Sequence, residues 1–286
     1  MAQTTAFQIA LCNEVIAGHA SIGKEFAAQC AFAAELGYAG LEVAPFTLGE
    51  EPQLLSATAR TELRRAAADA GIAITGLHWL MITPKGLSIT SADAPTRART
   101  RDVIERLIGL CADLGGSVLV HGSPAQRRLS DATDPASARG HALALFQRAA
   151  EMAAAHKVIY CVEPLAAPEA DFINTVEEAV AIVDEINNPA FRTMIDTSAA
   201  GNSEQQAVAD LIRHWLPSGK IAHIQLNDSN RRAPGQGQDD FVAILSALRE
   251  VGYDRVAAVE PFDYRPDGPT TAAFAIAYLR GILDSF

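Results

Sequence analysis

Three carboxylates and an amide, Glu163, Asp196, Gln225 and Glu260, each stand at the downstream end of a short apolar run: VIYCVEP, FRTMIDT, KIAHIQLND and RVAAVEPF. They recur at intervals of roughly thirty residues, the length of one strand–helix–loop unit, so four successive parallel strands would deliver four oxygen donors to one rim. Carboxylates that end buried strands are costly to desolvate and repel one another unless a cation sits among them. The spacing therefore implies a metal site. Its donors are hard and include no thiolate, which favours one divalent cation, Mn²⁺ or Mg²⁺, over Zn²⁺, with Co²⁺ also admissible.

Strand alternation places Glu163 on the face of Cys161, Asp196 with Met194, Gln225 with His223 and Glu260 with Ala258, so mostly small or apolar residues would lie beneath the donors. His223, one layer below Gln225, reads as a residue that orients a ligand by hydrogen bonding. His78 and His121 end two further runs, ITGLHWL and SVLVHG, and on the same rim both would face a substrate. Glu42, closing GLEVAP, is a further candidate for substrate contact, and Trp79 and Phe262 would wall the pocket. A cation bound to a carbonyl and its neighbouring hydroxyl acidifies the carbon-bound proton between them. A carboxylate on each face, Glu163 and Glu260, could then remove and return that proton through an enediolate.

The elements that must hold these residues alternate from end to end. Eight apolar runs (FQIALC, GLEVAP, ITGLHWL, SVLVHG, VIYCVE, FRTMID, IAHIQL and RVAAVE) are separated by helical patterns such as KEFAAQCAFAAELG and RTRDVIERLIGLCADLG. Gly37, Gly71, Gly115 and Gly252 follow helical patterns and precede strands, as left-handed helix ends do. This alternation predicts an α/β fold with a parallel sheet, and eight units in 286 residues predict a (β/α)8 TIM barrel, one domain over residues 1–286. No GxGxxG follows the first run, which disfavours a dinucleotide-binding fold. The formal charge of −11 excludes a nucleic-acid backbone as the expected partner and leaves a small molecule. Cys12, Cys30, Cys111 and Cys161 form no CxxC pair and read as buried free thiols in a reducing compartment. No basic segment precedes FQIALC and the run is short, so neither a signal peptide nor a membrane span is expected, and the cytoplasm is the expected location.

The stretches VEPL at 162–165, MIDT at 194–197, HIQLND at 223–228, RRAPGQGQDDF at 231–241 and VEPF at 259–262 resemble the xylose isomerase-like TIM barrels. GLE at 40–42, GLHWL at 76–80 and VHG at 120–122 extend the likeness into the first half. That superfamily includes sugar isomerases and epimerases, ketose 3-epimerases, hydroxypyruvate isomerase, inosose-processing enzymes and, more distantly, the endonuclease IV type. The resemblance implies a metal-dependent isomerase or epimerase of a small polyhydroxy carbonyl compound, in which Glu163 and Glu260 are both ligands and acid/base catalysts. It also implies that Arg231 holds a substrate oxygen, that Glu169 binds a substrate hydroxyl, and that the protein is a homodimer or homotetramer. Many members carry His where Gln225 stands, whereas hydroxypyruvate isomerases resemble this chain in using Gln. Relatives commonly carry His three residues after the metal Asp, where this chain has Ala199. The alternative on the same scaffold is a lyase that dehydrates a keto-polyol. A remoter alternative, endonuclease IV-like DNA repair, needs a basic groove and more histidines.

Overall fold

The protein is described here from a computed structural model, over residues 7–23 and 25–286. Lys24, the first residue of the first expected helix, lies outside the described residues, as do residues 1–6 of the expected domain. Eight strands form a closed parallel barrel in chain order: β1 (Gln8–Cys12), β2 (Gly40–Val43), β3 (Ala73–Leu77), β4 (Val118–His121), β5 (Ile159–Val162), β6 (Phe191–Asp196), β7 (Ile221–Leu226) and β8 (Val256–Val259). β8 pairs back with β1, Leu11 opposite Val259, and so closes the ring. Every apolar run singled out in the sequence became one of these strands.

The surrounding helices are α1 (Phe26–Leu36), α2 (Ala57–Asp69), α3 (Ala94–Leu114), α4 (Pro135–His156), α5 (Val176–Ile186), α6 (Thr197–Ser203), α7 (Val208–Trp215), α8 (Phe241–Glu250) and α9 (Gly268–Leu283). Their ends follow local chemistry. Asp93, Asp134, Thr175, Asp240 and Asp267 cap the N-termini of α3, α4, α5, α8 and α9 through side-chain oxygens, and Thr175 with Glu178 forms a complete capping box. Gly37 and Gly115 end α1 and α3 in the left-handed conformation at φ 90° and 87°, a backbone that costs glycine little. Gly71 and Gly252 lie one residue beyond their helix caps, also at positive φ. None of the described helices is long and apolar enough to cross a membrane.

The core has two parts. A small cluster of Val118, Val120, Cys161, Met194 and Ala222 fills the barrel, and a much larger one packs the outer strand faces against the helices. Within one strand the two faces alternate, so Val118 and Val120 point in while Leu119 and His121 point out.

Candidate metal centre and active site

Parallel register carries the donors to one level. Asp196 pairs with Gln225 across β6 and β7. Glu163 and Glu260 lie one residue beyond β5 and β8, where the ladder continues through Glu163 N–H to His121 O and Glu260 N–H to Leu226 O, both 3.2 Å. Carboxylate oxygens of Glu163, Asp196 and Glu260 thereby come within 4.8 Å of one another, all three residues buried. Asp196 also caps α6, its Oδ1 accepting from Ala199 N–H at 2.7 Å, while Asn227 Nδ2 donates to its Oδ2 at 2.9 Å. Gly122 follows β4 because any Cβ there would run into the Glu163 carboxylate.

Gln225 stands opposite Asp196 in the ladder. Its Nε2 donates to Glu42 Oε1 at 2.9 Å, which fixes the amide so that Oε1 is the free end, buried and without a hydrogen-bond partner. Glu260 Oε2 is likewise buried and unpartnered. Burial is the main cause that drives the carboxyl groups of Glu163 and Glu260 well above the usual range, and mutual repulsion with Asp196 adds to it. Asp196 is pushed up to about 7, again chiefly by burial, against the opposing donors Ala199 and Asn227. Three crowded carboxylates that resist ionisation, beside an amide oxygen with nothing to accept from, form a donor set that fits a hard divalent cation held by Glu163, Asp196, Gln225 and Glu260.

Above this floor lies a small pocket with about 60 Å³ of accessible space, lined by Trp79, Ser123, Glu163, Glu169, Arg231, Glu260 and Phe262 among others. Trp79 stands edge-on between Phe46 and Phe262, each ring centroid 5.6 Å away. Arg231 lies over the Phe262 ring at 4.7 Å and pairs with Glu169, so the expected substrate-holding cation and carboxylate meet at the pocket. The loop that presents Arg231 is organised by Asp228, which accepts from the backbone of Gly237 at 2.8 Å and Gln238 at 3.1 Å; a Cβ at Gly237 would collide with that carboxylate. Arg232 turns away to Asp263. A cavity at the opposite end of the barrel, lined by Gln8, Thr75, Ser117 and His223 among others, reaches none of the quartet.

Three expected substrate contacts are corrected. His121 does not reach the pocket: it points outward from β4, fully buried against Phe146 and hydrogen-bonded through Nδ1 to Tyr160 Oη at 2.5 Å. Burial, with the Arg127 charge, depresses its pKa to about 3, so it is a neutral packing residue. His78 is fully buried below the pocket, its Nε2 2.9 Å from Glu14 Oε2 and 3.5 Å from Glu260 Oε1. Glu42 is also fully buried. It holds Gln225 and lies 2.8 Å from His223 Nε2, so His223 reaches the quartet only through Glu42. Burial alone would raise the Glu42 pKa, but His223, His78 and the Gln225 donor outweigh it and lower it.

Arg127 escaped the sequence reading because it sits in a loop without a motif. Fully buried, it donates from Nη1 to the Glu163 backbone oxygen at 2.6 Å and brings a positive charge beside the Glu163 carboxylate. Glu14 and Phe46 were missed for the same reason. Asn227 stood inside the quoted HIQLND stretch and, two residues after Gln225, was on the right face to be found.

The xylose isomerase-like TIM barrel family profile matches residues 30–282. The chain is 30% identical over 234 residues to a D-psicose 3-epimerase of Agrobacterium fabrum, covering 80% of this chain and 76% of that one. It is 28% identical over 200 residues to an L-ribulose 3-epimerase of Mesorhizobium japonicum, covering 70% and 65%. Among solved structures, D-psicose 3-epimerase with D-tagatose from Clostridium cellulolyticum H10 superposes with a TM-score of 0.80 at 20% identity, over 97% of this chain and 99% of that one. That identity speaks for the fold alone. With the profile spanning most of the sequence and a closed eight-stranded barrel beneath it, the chain belongs to the xylose isomerase-like TIM barrel family.

Proposed function

We propose that this chain is a divalent-metal-dependent epimerase of a small ketose, moving a proton at the carbon beside the carbonyl. The chain is an enzyme acting on sugars, and the relatives named above are ketose 3-epimerases. The observation that carries the finer reading is the pair of buried glutamates, Glu163 and Glu260, that line one pocket within 4.8 Å of each other and of Asp196. A bound cation, Mn²⁺ or Mg²⁺ by the hardness of the donors, would supply charge neutralisation and acidify the carbon-bound proton. Glu163 and Glu260 then divide the proton transfer, one removing it and the other delivering it to the opposite face, which inverts the centre. Arg231 donates to a ketose oxygen, with Glu169 holding the guanidinium and accepting from a sugar hydroxyl. Phe46, Trp79 and Phe262 form an apolar wall that limits water at the reacting carbon. Beside the two glutamates, Arg231, Glu169 and Ser123 supply the polar lining of the pocket.

The test is product analysis. Mn²⁺-loaded protein incubated with D-fructose, D-tagatose and L-ribulose should convert at least one of them to its C3 epimer with no change of mass. Loss of water would instead establish the dehydratase chemistry, and an unchanged sugar in every case would remove the ketose assignment.

The amide donor makes a separate forecast. Gln225→His replaces an oxygen donor with a softer nitrogen, so the metal-affinity ratio of Co²⁺ or Zn²⁺ to Mg²⁺ should rise in competition titrations. An unchanged ratio would place Gln225 off the ion.

A further inference from the structure

A second convergence of donors lies beside the quartet. Cys12 at the end of β1, Glu14 in the single turn Asn13–Val15 that follows, His78 and Glu260 bring a sulfur, an imidazole nitrogen and two carboxylate oxygens within 4.8 Å of one another. None of this is at the surface: the side chain of His78 is 0% exposed, Glu14 6% and Glu260 5%. His78 Nε2 lies 2.9 Å from Glu14 Oε2, yet both ring nitrogens and both Glu14 oxygens lack a partner in hydrogen-bonding geometry. Buried polar groups are rarely left in this state, since each unsatisfied atom costs about 1–3 kcal/mol and a charged one more. His78 and Glu14 form a buried ion pair, and the Cys12 thiol has only long contacts, 3.9 Å to Glu42 Oε1 and 4.0 Å from Gln225 Nε2, so the four donors keep unused capacity pointed at one small space.

We propose that Cys12, Glu14, His78 and Glu260 form a second divalent-cation site, which shares Glu260 with the Glu163, Asp196 and Gln225 site. A thiolate and an imidazole join two carboxylates here, so the second site prefers a borderline ion such as Zn²⁺ or Co²⁺, unlike its all-oxygen neighbour. Binding breaks the Cys12 S–H bond and forms a metal–sulfur bond, and the proton leaves to solvent. Shared between two ions, Glu260 would have its orientation fixed from both sides. The proposal requires neither a substrate nor turnover, so it stands or falls separately from the ketose epimerase reading.

Titration of metal-free protein with Co²⁺ under reducing conditions tests it. Two equivalents should bind, and one should bring a near-ultraviolet sulfur-to-cobalt charge-transfer band. Cys12→Ser should remove that band and leave one equivalent bound. Asp196→Asn, aimed at the first site, should keep the band. Saturation of the parent protein by one equivalent with no sulfur band would overturn the second site while leaving the first intact. That decisive titration uses the unmutated chain, so the outcome does not depend on how any variant folds.

Discussion

Glu163→Gln and Glu260→Gln, each saturated with Mn²⁺, are expected to turn over ketose on the order of 10²–10⁴-fold more slowly than the parent enzyme. Glutamine is nearly isosteric and its amide oxygen can still face a cation, as Gln225 itself is placed to do. It cannot accept a proton at neutral pH. A residue that serves only as a ligand would lose metal affinity on this change and recover turnover once metal is in excess. A residue that moves the proton would not recover. The two variants should also differ from each other. The glutamate that removes the proton is needed for any exchange, whereas loss of the glutamate that returns it leaves exchange of the substrate's proton with solvent while inversion fails. Near-parental turnover in both metal-saturated variants would remove the two-carboxylate mechanism.

The second large effect concerns Asp196, and the choice of substitution matters. Asp196→Ala would remove both a ligand and the cap of α6, and loss of a cap alone costs roughly 0.5–2 kcal/mol. Asp196→Asn keeps an acceptor for Ala199 N–H and removes the charge, at the cost of the hydrogen bond from Asn227 Nδ2, which the relief of carboxylate repulsion offsets. The parent protein should gain about 2.7 kcal/mol of stability when Mn²⁺ is present at a hundredfold excess over its dissociation constant. In Asp196→Asn the thermal shift at that Mn²⁺ concentration should largely vanish, while the metal-free stability stays near that of the parent or rises. It can rise because burial beside Glu163 and Glu260 makes a charge at position 196 unfavourable without a cation. An undiminished shift in the variant would show that the ion binds elsewhere.

The barrel was legible in the sequence because its strands are short, uniformly apolar and separated by helices with clear ends. The three carboxylates were legible because register multiplies a weak signal: one Asp at a strand end is ordinary, but three carboxylates in step with the repeat are not. The histidines failed where the same parity test had not been applied to them. Val120 pairs with Cys161, which lies inside the barrel, so His121 had to point outward, and the VLVH pattern carried that information. His78 and Glu42 were harder to read. Both lie at strand ends, yet they sit below the pocket floor and hold the quartet from beneath, a difference in depth that periodicity cannot supply. Arg127, Glu14 and Phe46 belong to loops whose paths are set by packing rather than by a repeat, which leaves no spacing to read.

Proton exchange at the reacting carbon is the central chemical claim, and nuclear magnetic resonance in deuterium oxide observes it directly. The Mn²⁺-loaded protein is incubated with the ketose that it converts, the paramagnetic ion is then removed, and the C3 proton of recovered substrate and product is integrated. Epimerisation through Glu163 and Glu260 predicts that the C3 signal of the product disappears as deuterium enters from solvent, with neighbouring carbon-bound positions left protonated. The same loss of signal should be absent in Glu163→Gln or Glu260→Gln, whichever lacks the base. Product that forms with its C3 proton fully retained, at early and late times alike, would contradict proton transfer by glutamates open to exchange with solvent.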